Sequence, residues 1–313
     1  MHRIIIGGTG LIGSQLVNHW LMQGHKVTVI GRSTEIIRKI FQDRVNALEL
    51  KSLQPEIFRQ AEVVVNLAGA GIAEKRWSEA RKQEIIHSRI TVTQKIVELL
   101  TALGQEAPPL FNASAVGIYG LQQQVVNGLP LKLDEDTHID WNTAPDFLSY
   151  IGRKWEKATR LAKENGIRVV NLRFGVVLAK QGGALPKIVQ PFYFFLGGKI
   201  GTGQQPFSWI AIDDVIRAID FLLEKRQIAG PVNIVAPGCI TQHELAKAIG
   251  KILHKPSFMP TPAFILKLIF GEMARELLLE GQRVYPKILL DSGFIYSFSD
   301  IESALRHVLH NAK

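Results

Sequence analysis

Three glycines, Gly7, Gly10 and Gly13, follow directly on the β-branched run Ile4-Ile5-Ile6. They lead into an apolar pattern of helical period: Leu11, Ile12, Leu16, Val17, Trp20 and Leu21. Strand, tight turn and helix N-terminus in that order make an anion site. Backbone N–H groups and the positive end of the helix dipole face the ligand, and glycine removes the β-carbons that would block a phosphate. Lys26-Val27-Thr28-Val29-Ile30 reads as the next strand, and that context turns a weak G-x-x-G-x-x-G pattern into a dinucleotide signature. Gly7, Thr9, Gly10, Leu11, Ile12 and Gly13 are therefore expected to hold a pyrophosphate. About 20 residues beyond the glycines, where an acid would bond the ribose 2′-hydroxyl of NAD, the chain instead has Arg32 and Ser33. A guanidinium and a hydroxyl suit a 2′-phosphate, so NADP(H) is expected ahead of NAD(H). The competing reading leaves Arg32 in solvent at a strand end.

Further residues gather at other predicted strand ends. Asn66-Leu67-Ala68-Gly69 closes a strand with the small residues needed where backbone passes close to a nucleotide. Ser114 ends a later strand. Tyr150 and Lys154 stand four apart on a predicted helix, about one turn, so their side chains share a face. Arg173, Gly175 and Val176 end a further strand, at the edge where such sheets bind ligands. Trp209 and Arg283 are candidates for a substrate pocket, with core packing the rival reading for the first and a surface ion pair for the second. The nine histidines show no metal-ligand spacing, and a single cysteine, Cys239, excludes a disulfide framework.

Strand-like runs at 47–50, 62–67, 110–114, 167–172 and 231–235 alternate with helical patterns at 78–103, 146–164 and 213–224. That alternation predicts an α/β fold, a doubly wound parallel sheet. From about residue 238 the chain reads as helical, with capping boxes at Thr241–Glu244 and Ser299–Glu302 and a helix opening at Thr261-Pro262. The expected division is a nucleotide-binding domain over 1–237, its 173–209 stretch contributing to a substrate pocket, and a smaller helical substrate lobe over 238–313. With 46% hydrophobic and 21% charged residues, a large core is available. Met1-His2-Arg3 runs straight into the first strand and no apolar run reaches membrane-spanning length, so a cytoplasmic protein without a membrane partner is expected. The net charge of +9 is spread over short pairs such as Lys75-Arg76 and Arg81-Lys82. That pattern reads first as a solvated surface, with attraction of small anions such as phosphorylated cofactors the functional alternative, and argues against a polynucleotide partner.

Taken together, the glycine turn, Ser114 and the Y-x-x-x-K pair resemble the extended short-chain dehydrogenase/reductase family over almost the whole chain. The stretches 113–120, 173–178, 207–210 with Asp213-Asp214, and Gly271-Glu272-Met273-Ala274 with Gly281-Gln282-Arg283-Val284 resemble its narrower YfcH-type epimerase subgroup, which has a C-terminal helical domain, here about 259–309. The resemblance implies a Rossmann-type nucleotide domain. It implies Tyr150 as general acid/base on a substrate hydroxyl or carbonyl. A free tyrosine, with a pKa of about 10, is a poor base at neutral pH, and Lys154 would favour the phenolate and hold the nicotinamide ribose. Ser114 would polarise the substrate oxygen. The implied function is an NADP(H)-dependent oxidoreductase or epimerase acting on a small hydroxyl- or carbonyl-bearing substrate, with sugar nucleotides among the candidates. An NADP(H)-binding sensor or scaffold without turnover is the alternative. By analogy with relatives that pair through two long helices, 78–103 and 146–164 would form a homodimer surface. The family pattern also includes Lys75-Arg76-Trp77 and Ser88-Arg89, without a role. It is interrupted by an insertion, Leu121 to Phe147, whose Asp134-Glu135-Asp136 would sit in a lid.

Overall fold

A computed structural model describes residues 1–122, 125–126 and 129–310. Seven strands form one parallel sheet: β1 (His2–Ile6), β2 (Lys26–Gly31), β3 (Asn46–Glu49), β4 (Val63–Asn66), β5 (Leu110–Ala115), β6 (Val169–Phe174) and β7 (Gly230–Ile234), in the order β7-β6-β5-β4-β1-β2-β3. The chain winds outward from β1 to β3, then returns to β4 and winds the other way. The reversal between β1 and β4 opens a crevice at the C-terminal edge of the sheet, where doubly wound folds bind their ligands.

The strands are apolar on both faces, as a sheet covered twice requires. Ile5, Val65, Phe111 and Val170 meet Leu16, Val17 and Trp20 of α1 (Leu11–Met22) and Val215, Ile219 and Leu222 of a helix over Ile212–Glu224. Ile4, Ile6, Val64 and Leu110 face the other way, onto Ile96, Val97 and Leu100 of α2 (Glu79–Thr101). The helical pattern expected over 146–164 breaks in two. α3 (Phe147–Lys157) ends where the Thr159 hydroxyl donates to the Glu156 carbonyl at 2.7 Å, an alternative partner to the helix ladder.

Beyond β7 the chain is mostly helical, but its core does not stop at residue 237. α4 (Leu185–Tyr193), α5 (Gln242–Leu253) and the last helix, Ile301–His310, enclose Leu185, Val189, Trp209, Leu245, Ile249 and Leu305 in one cluster, while Leu289 and Phe294 join the main core. Trp209 is 0% exposed and its indole donates to the Gly238 carbonyl at 2.9 Å. The core reading therefore replaces the substrate-pocket expectation for that residue. At the helix starts, Thr241 and Glu244 form the expected capping box, whereas the last helix is capped by Asp300 rather than Ser299.

Three carboxylates, Asp214 and Glu276 buried and Glu135 half-buried, fasten the C-terminal part to the sheet domain. Asp214, in the first turn of its helix, accepts the amides of Ser297 and Phe298 at 2.8 and 2.9 Å. Glu135, from the insertion, accepts the amides of Asn233 and Lys287 at 2.9 and 3.1 Å. The acidic triplet is thus a buckle tied to β7 instead of a free lid, though residues 123–124 and 127–128 of that insertion lie outside the described residues. Glu276, on a π-helical turn over Arg275–Leu279, accepts the amides of Phe147 and Leu148 at 3.2 and 2.9 Å and so caps α3 from outside.

Burial, with Asp146 and Glu272 close by, pushes the Glu276 carboxyl up to about 7 from 4.5. A carboxyl raised in the folded chain holds its proton more tightly there than when unfolded. Its contribution to stability is therefore full below pH 4.5 and lost as pH rises toward 7. Glu276→Gln should flatten the decline in unfolding free energy between about pH 5 and 7.5. Urea unfolding at several pH values checks this, and parallel profiles for both proteins would contradict it.

Candidate dinucleotide and catalytic site

The turn after β1 is built by close approach. Gly7 has φ +78°, and a Cβ on it would lie 2.9 Å from the carbonyl group of Leu67 at the end of β4. A Cβ on Gly13 would lie 2.5 Å from the Gly7 oxygen. Gly10 is different: its Cβ would meet only the Gly7 oxygen, at 3.4 Å, and otherwise point into open space. α1 starts at Gly10 with no side-chain cap and no acid in its first turn, so its leading N–H groups and dipole face the crevice. A cradle with room for a ligand at Gly10, amides pointing into it and no competing carboxylate fits a pyrophosphate.

Opposite, Asn66 holds the other lip. Its carbonyl oxygen accepts the Ala68 amide at 3.2 Å, and its NH2 donates to Asn112 and Thr93 at 2.7 and 2.9 Å, which fixes Leu67-Ala68-Gly69. The Ser88 hydroxyl accepts the Ala70 amide at 3.0 Å and extends that support. Behind Gly69 lies Arg89: the Gly69 Cβ position is 3.0 Å from its guanidinium carbon, which sits 5.1 Å from the Trp155 ring centroid. Arg89 donates to the Ile85 carbonyl, and burial lowers its pKa to about 10. Its place in the family pattern was the only signal in the sequence for a half-buried cation beside the crevice.

At the end of β2, Arg32 is exposed and forms no salt bridge among the described residues, though its charge helps to hold the Glu84 carboxyl down. Ser33 caps the following helix by accepting the Ile36 amide at 3.3 Å. Both therefore flank the crevice on the side away from β4.

Tyr150 and Lys154 lie on the outer face of α3. Tyr150 is 40% exposed, and the Lys154 ammonium stands 5.6 Å from its ring centroid. Ser114 does not join them. It is 2% exposed, and its hydroxyl donates to Glu156 at 2.8 Å. Glu156 in turn takes Arg173 through both oxygens, at 2.8 and 3.0 Å; Arg173 donates to the Tyr119 hydroxyl at 2.9 Å, and that hydroxyl reaches Asn233 at 2.9 Å. Burial pushes the Tyr119 phenol up to about 12. Burial also opposes the charge of Arg173, but the Glu156 hydrogen bonds and field outweigh it and raise its pKa.

Two expectations are corrected here. The Ser114 hydroxyl is committed to a buried carboxylate and is not aimed at a substrate, because alternation along β5 turns it inward and leaves Ala115, without a polar side chain, exposed at the tip. The Arg173 side chain is likewise the centre of a buried ion pair, not a cofactor ligand. Gly175 is required by packing, since its Cβ would lie 2.8 Å from the Ser208 oxygen, and Val176 donates its amide to that same oxygen. Arg283 forms no ion pair among the described residues; it fastens the insertion, its guanidinium reaching the Pro130 carbonyl at 3.3 Å and its carbonyl accepting the Leu133 amide at 2.9 Å.

Comparison with known proteins places this geometry in context. The epimerase family protein YfhF of Bacillus subtilis (strain 168) is 35% identical over 313 residues, covering 100% of this chain and 99% of its own. The crystal structure of human epimerase family protein SDR39U1 (isoform 2) with NADPH is 31% identical, with a TM-score of 0.85 over 100% of both chains. UDP-glucuronic acid 4-epimerase from Bacillus cereus, in complex with NAD, shares the fold with a TM-score of 0.75 at 17% identity, covering 98% of this chain and 95% of its own. A domain of unknown function, DUF1731, matches residues 261–308. The NAD dependent epimerase/dehydratase family model matches residues 3–235, and the chain belongs to that family.

Proposed function

We propose that the crevice binds NADP(H) and that the protein is an oxidoreductase or epimerase acting on a small hydroxyl- or carbonyl-bearing substrate, sugar nucleotides being the first class to test. The observation that carries this reading is the cradle around Gly7, Gly10 and Gly13 beneath an uncapped helix N-terminus. Support for the phosphorylated cofactor comes from Arg32, exposed and in no salt bridge among the described residues, and from the NADPH bound by the human relative.

When bound, the nicotinamide ring would supply hydride exchange. The chain's own groups then have separate tasks. The α1 amides and Gly10 seat the pyrophosphate, Arg32 and the Ser33 hydroxyl meet a 2′-phosphate, and Arg89 adds positive charge beside Gly69. Gly175, Val176 and Lys154 would be the groups to meet the nicotinamide ribose. Tyr150, exposed and one turn from Lys154, is the group able to give or take the substrate proton. Residues 173–209, with the lobe from 238 onward and Arg283, would shape the substrate side.

A second reading is favoured by one observation. Ser114 is locked onto Glu156 and Ala115 offers no hydroxyl, so the tip of β5 brings no side-chain donor to a substrate oxygen. A cofactor-binding sensor or scaffold without turnover fits that arrangement.

Arg32→Ala should weaken NADPH binding about ten- to a hundred-fold, the worth of a charge-assisted hydrogen bond, while NADH binding changes little. Calorimetry with both cofactors checks this; equal losses would remove Arg32 from the 2′-phosphate site. Arg89→Ala should weaken both cofactors alike, and unchanged titrations would leave it a purely structural cation. Tyr150→Phe should reduce turnover by about 10²–10⁴ with NADPH affinity retained. A screen of sugar nucleotides and small carbonyls, followed at the nicotinamide absorbance, is the readout. Normal turnover in the variant would rule out the acid/base role, and NADPH binding without turnover of any substrate would support the sensor reading.

A further inference from the structure

Two segments of the chain carry a dense group of exposed apolar side chains. α4 runs out into Tyr193-Phe194-Phe195-Leu196, all exposed, with Phe195 in the left-handed region at φ 62°. The following residues lie beside a second segment: the Met259 amide donates to the Gly197 carbonyl at 3.1 Å, Thr261 to Lys199 at 2.9 Å, and Gly201 to Thr261 at 2.9 Å. That second segment brings Phe258 and Met259 and leads into an eight-residue helix, Ala263–Phe270, of which only Leu266 is buried. Phe258, Phe264 and Leu268 are 76%, 71% and 77% exposed. Side chains lining a peptide groove are shielded by its walls, whereas these stand clear of the surface. Single exposed apolar residues are ordinary, but a contiguous group marks a contact surface.

Charge selects the occupant. No Asp or Glu occurs between Glu164 and Asp213, or between Glu244 and Glu272, so both segments offer cations alone. Lys199, Lys255 and Lys267 have no carboxylate partner among the described residues, and Lys255 lies 4.1 Å over the Phe195 ring. The neighbouring acids are taken: Glu272 by Lys82 and Glu302 by Lys251. A second copy seated by two-fold symmetry would bring lysine against lysine with no acid between them. An anionic bilayer surface suits the pattern, with aromatic and aliphatic tips entering the acyl boundary and lysine ammonium groups at the headgroup phosphates.

We propose that this face, from Tyr193–Lys199 and Phe258–Phe270, docks the protein peripherally on membranes containing anionic lipid. The contact is superficial, consistent with no helix among the described residues being long and apolar enough to cross a membrane. The expectation of no membrane partner rested on spanning segments and does not bear on a surface contact. The docking face stands independently of the cofactor reading.

The test is flotation of the purified full chain with two kinds of vesicle: phosphatidylcholine alone, and phosphatidylcholine with about 30% phosphatidylglycerol. The parent protein should float with the anionic vesicles only, and raised salt should release it. A triple variant, Phe258→Ser, Phe264→Ser and Leu268→Ser, should lose flotation while keeping the parent's melting temperature. Lys199→Glu with Lys267→Glu should weaken partitioning roughly ten-fold or more. Failure to float with anionic vesicles overturns the proposal, as does equal flotation with neutral ones. A parent dimer by light scattering that the triple variant converts to monomer would reassign the face to self-association. Binding to soluble polyglutamate without flotation would reassign it to an acidic protein.

Discussion

There is no room for a β-carbon where the first turn meets the end of the neighbouring strand. Gly7 lies against the Leu67 carbonyl, and Gly13 lies against Gly7 itself, so helix, turn and β4 are drawn together by contacts that only glycine permits. From that approach follow the direction of α1, the aim of its free N–H groups and the width of the crevice. The turn backbone is held as well: the Gly7 amide donates to the Ile30 carbonyl and the Leu67 amide to the Ile6 carbonyl. An anion arriving at Gly10 meets donors already in place, so little ordering is left for the ligand to drive.

A second constraint acts one strand further along. Ser114, Glu156, Arg173, Tyr119 and Asn233 form a continuous buried chain joining β5, α3, β6 and β7. A buried ion pair of this kind is weak evidence of net stabilisation, but removing one partner leaves an uncompensated charge. The Ser114 hydroxyl is part of that compensation, donating to Glu156 at 2.8 Å. Glu156 therefore acts as a structural tie on the helix whose opposite face presents Tyr150 and Lys154.

Much of this was legible in the chain. Local signals work where a residue's role is set by its own backbone: the glycine turn, the Thr241–Glu244 cap, and the parallel strands with helices between them follow from spacing and composition. Tyr150 and Lys154 share a face because helical periodicity requires it. Reading failed where orientation depended on a partner distant in sequence. Ser114 and Ala115 are adjacent at a strand end, and the carboxylate that Ser114 meets on the inner face lies 42 residues away. Trp209 looked equally suited to pocket or core, and the cluster around Leu245 and Leu305 decides it. Arg89 had no local feature at all; its position follows from packing against Gly69 and Trp155.

Carboxylates that accept backbone amides from a distant segment are the least visible class, and here they determine how the C-terminal part is seated. Asp214, Glu135 and Glu276 each take two main-chain N–H groups from another part of the chain. Apolar burial alone is non-directional and would tolerate sliding of one layer over the other. Paired amide bonds do not, because a shift of one residue leaves a buried carboxylate without donors. Glu276 makes this consequential: the amides it accepts open the helix bearing Tyr150 and Lys154, so the position of that face is set jointly by the sheet and by the DUF1731 region. A domain of unassigned role thus contributes the outer cap of the helix that carries Tyr150 and Lys154.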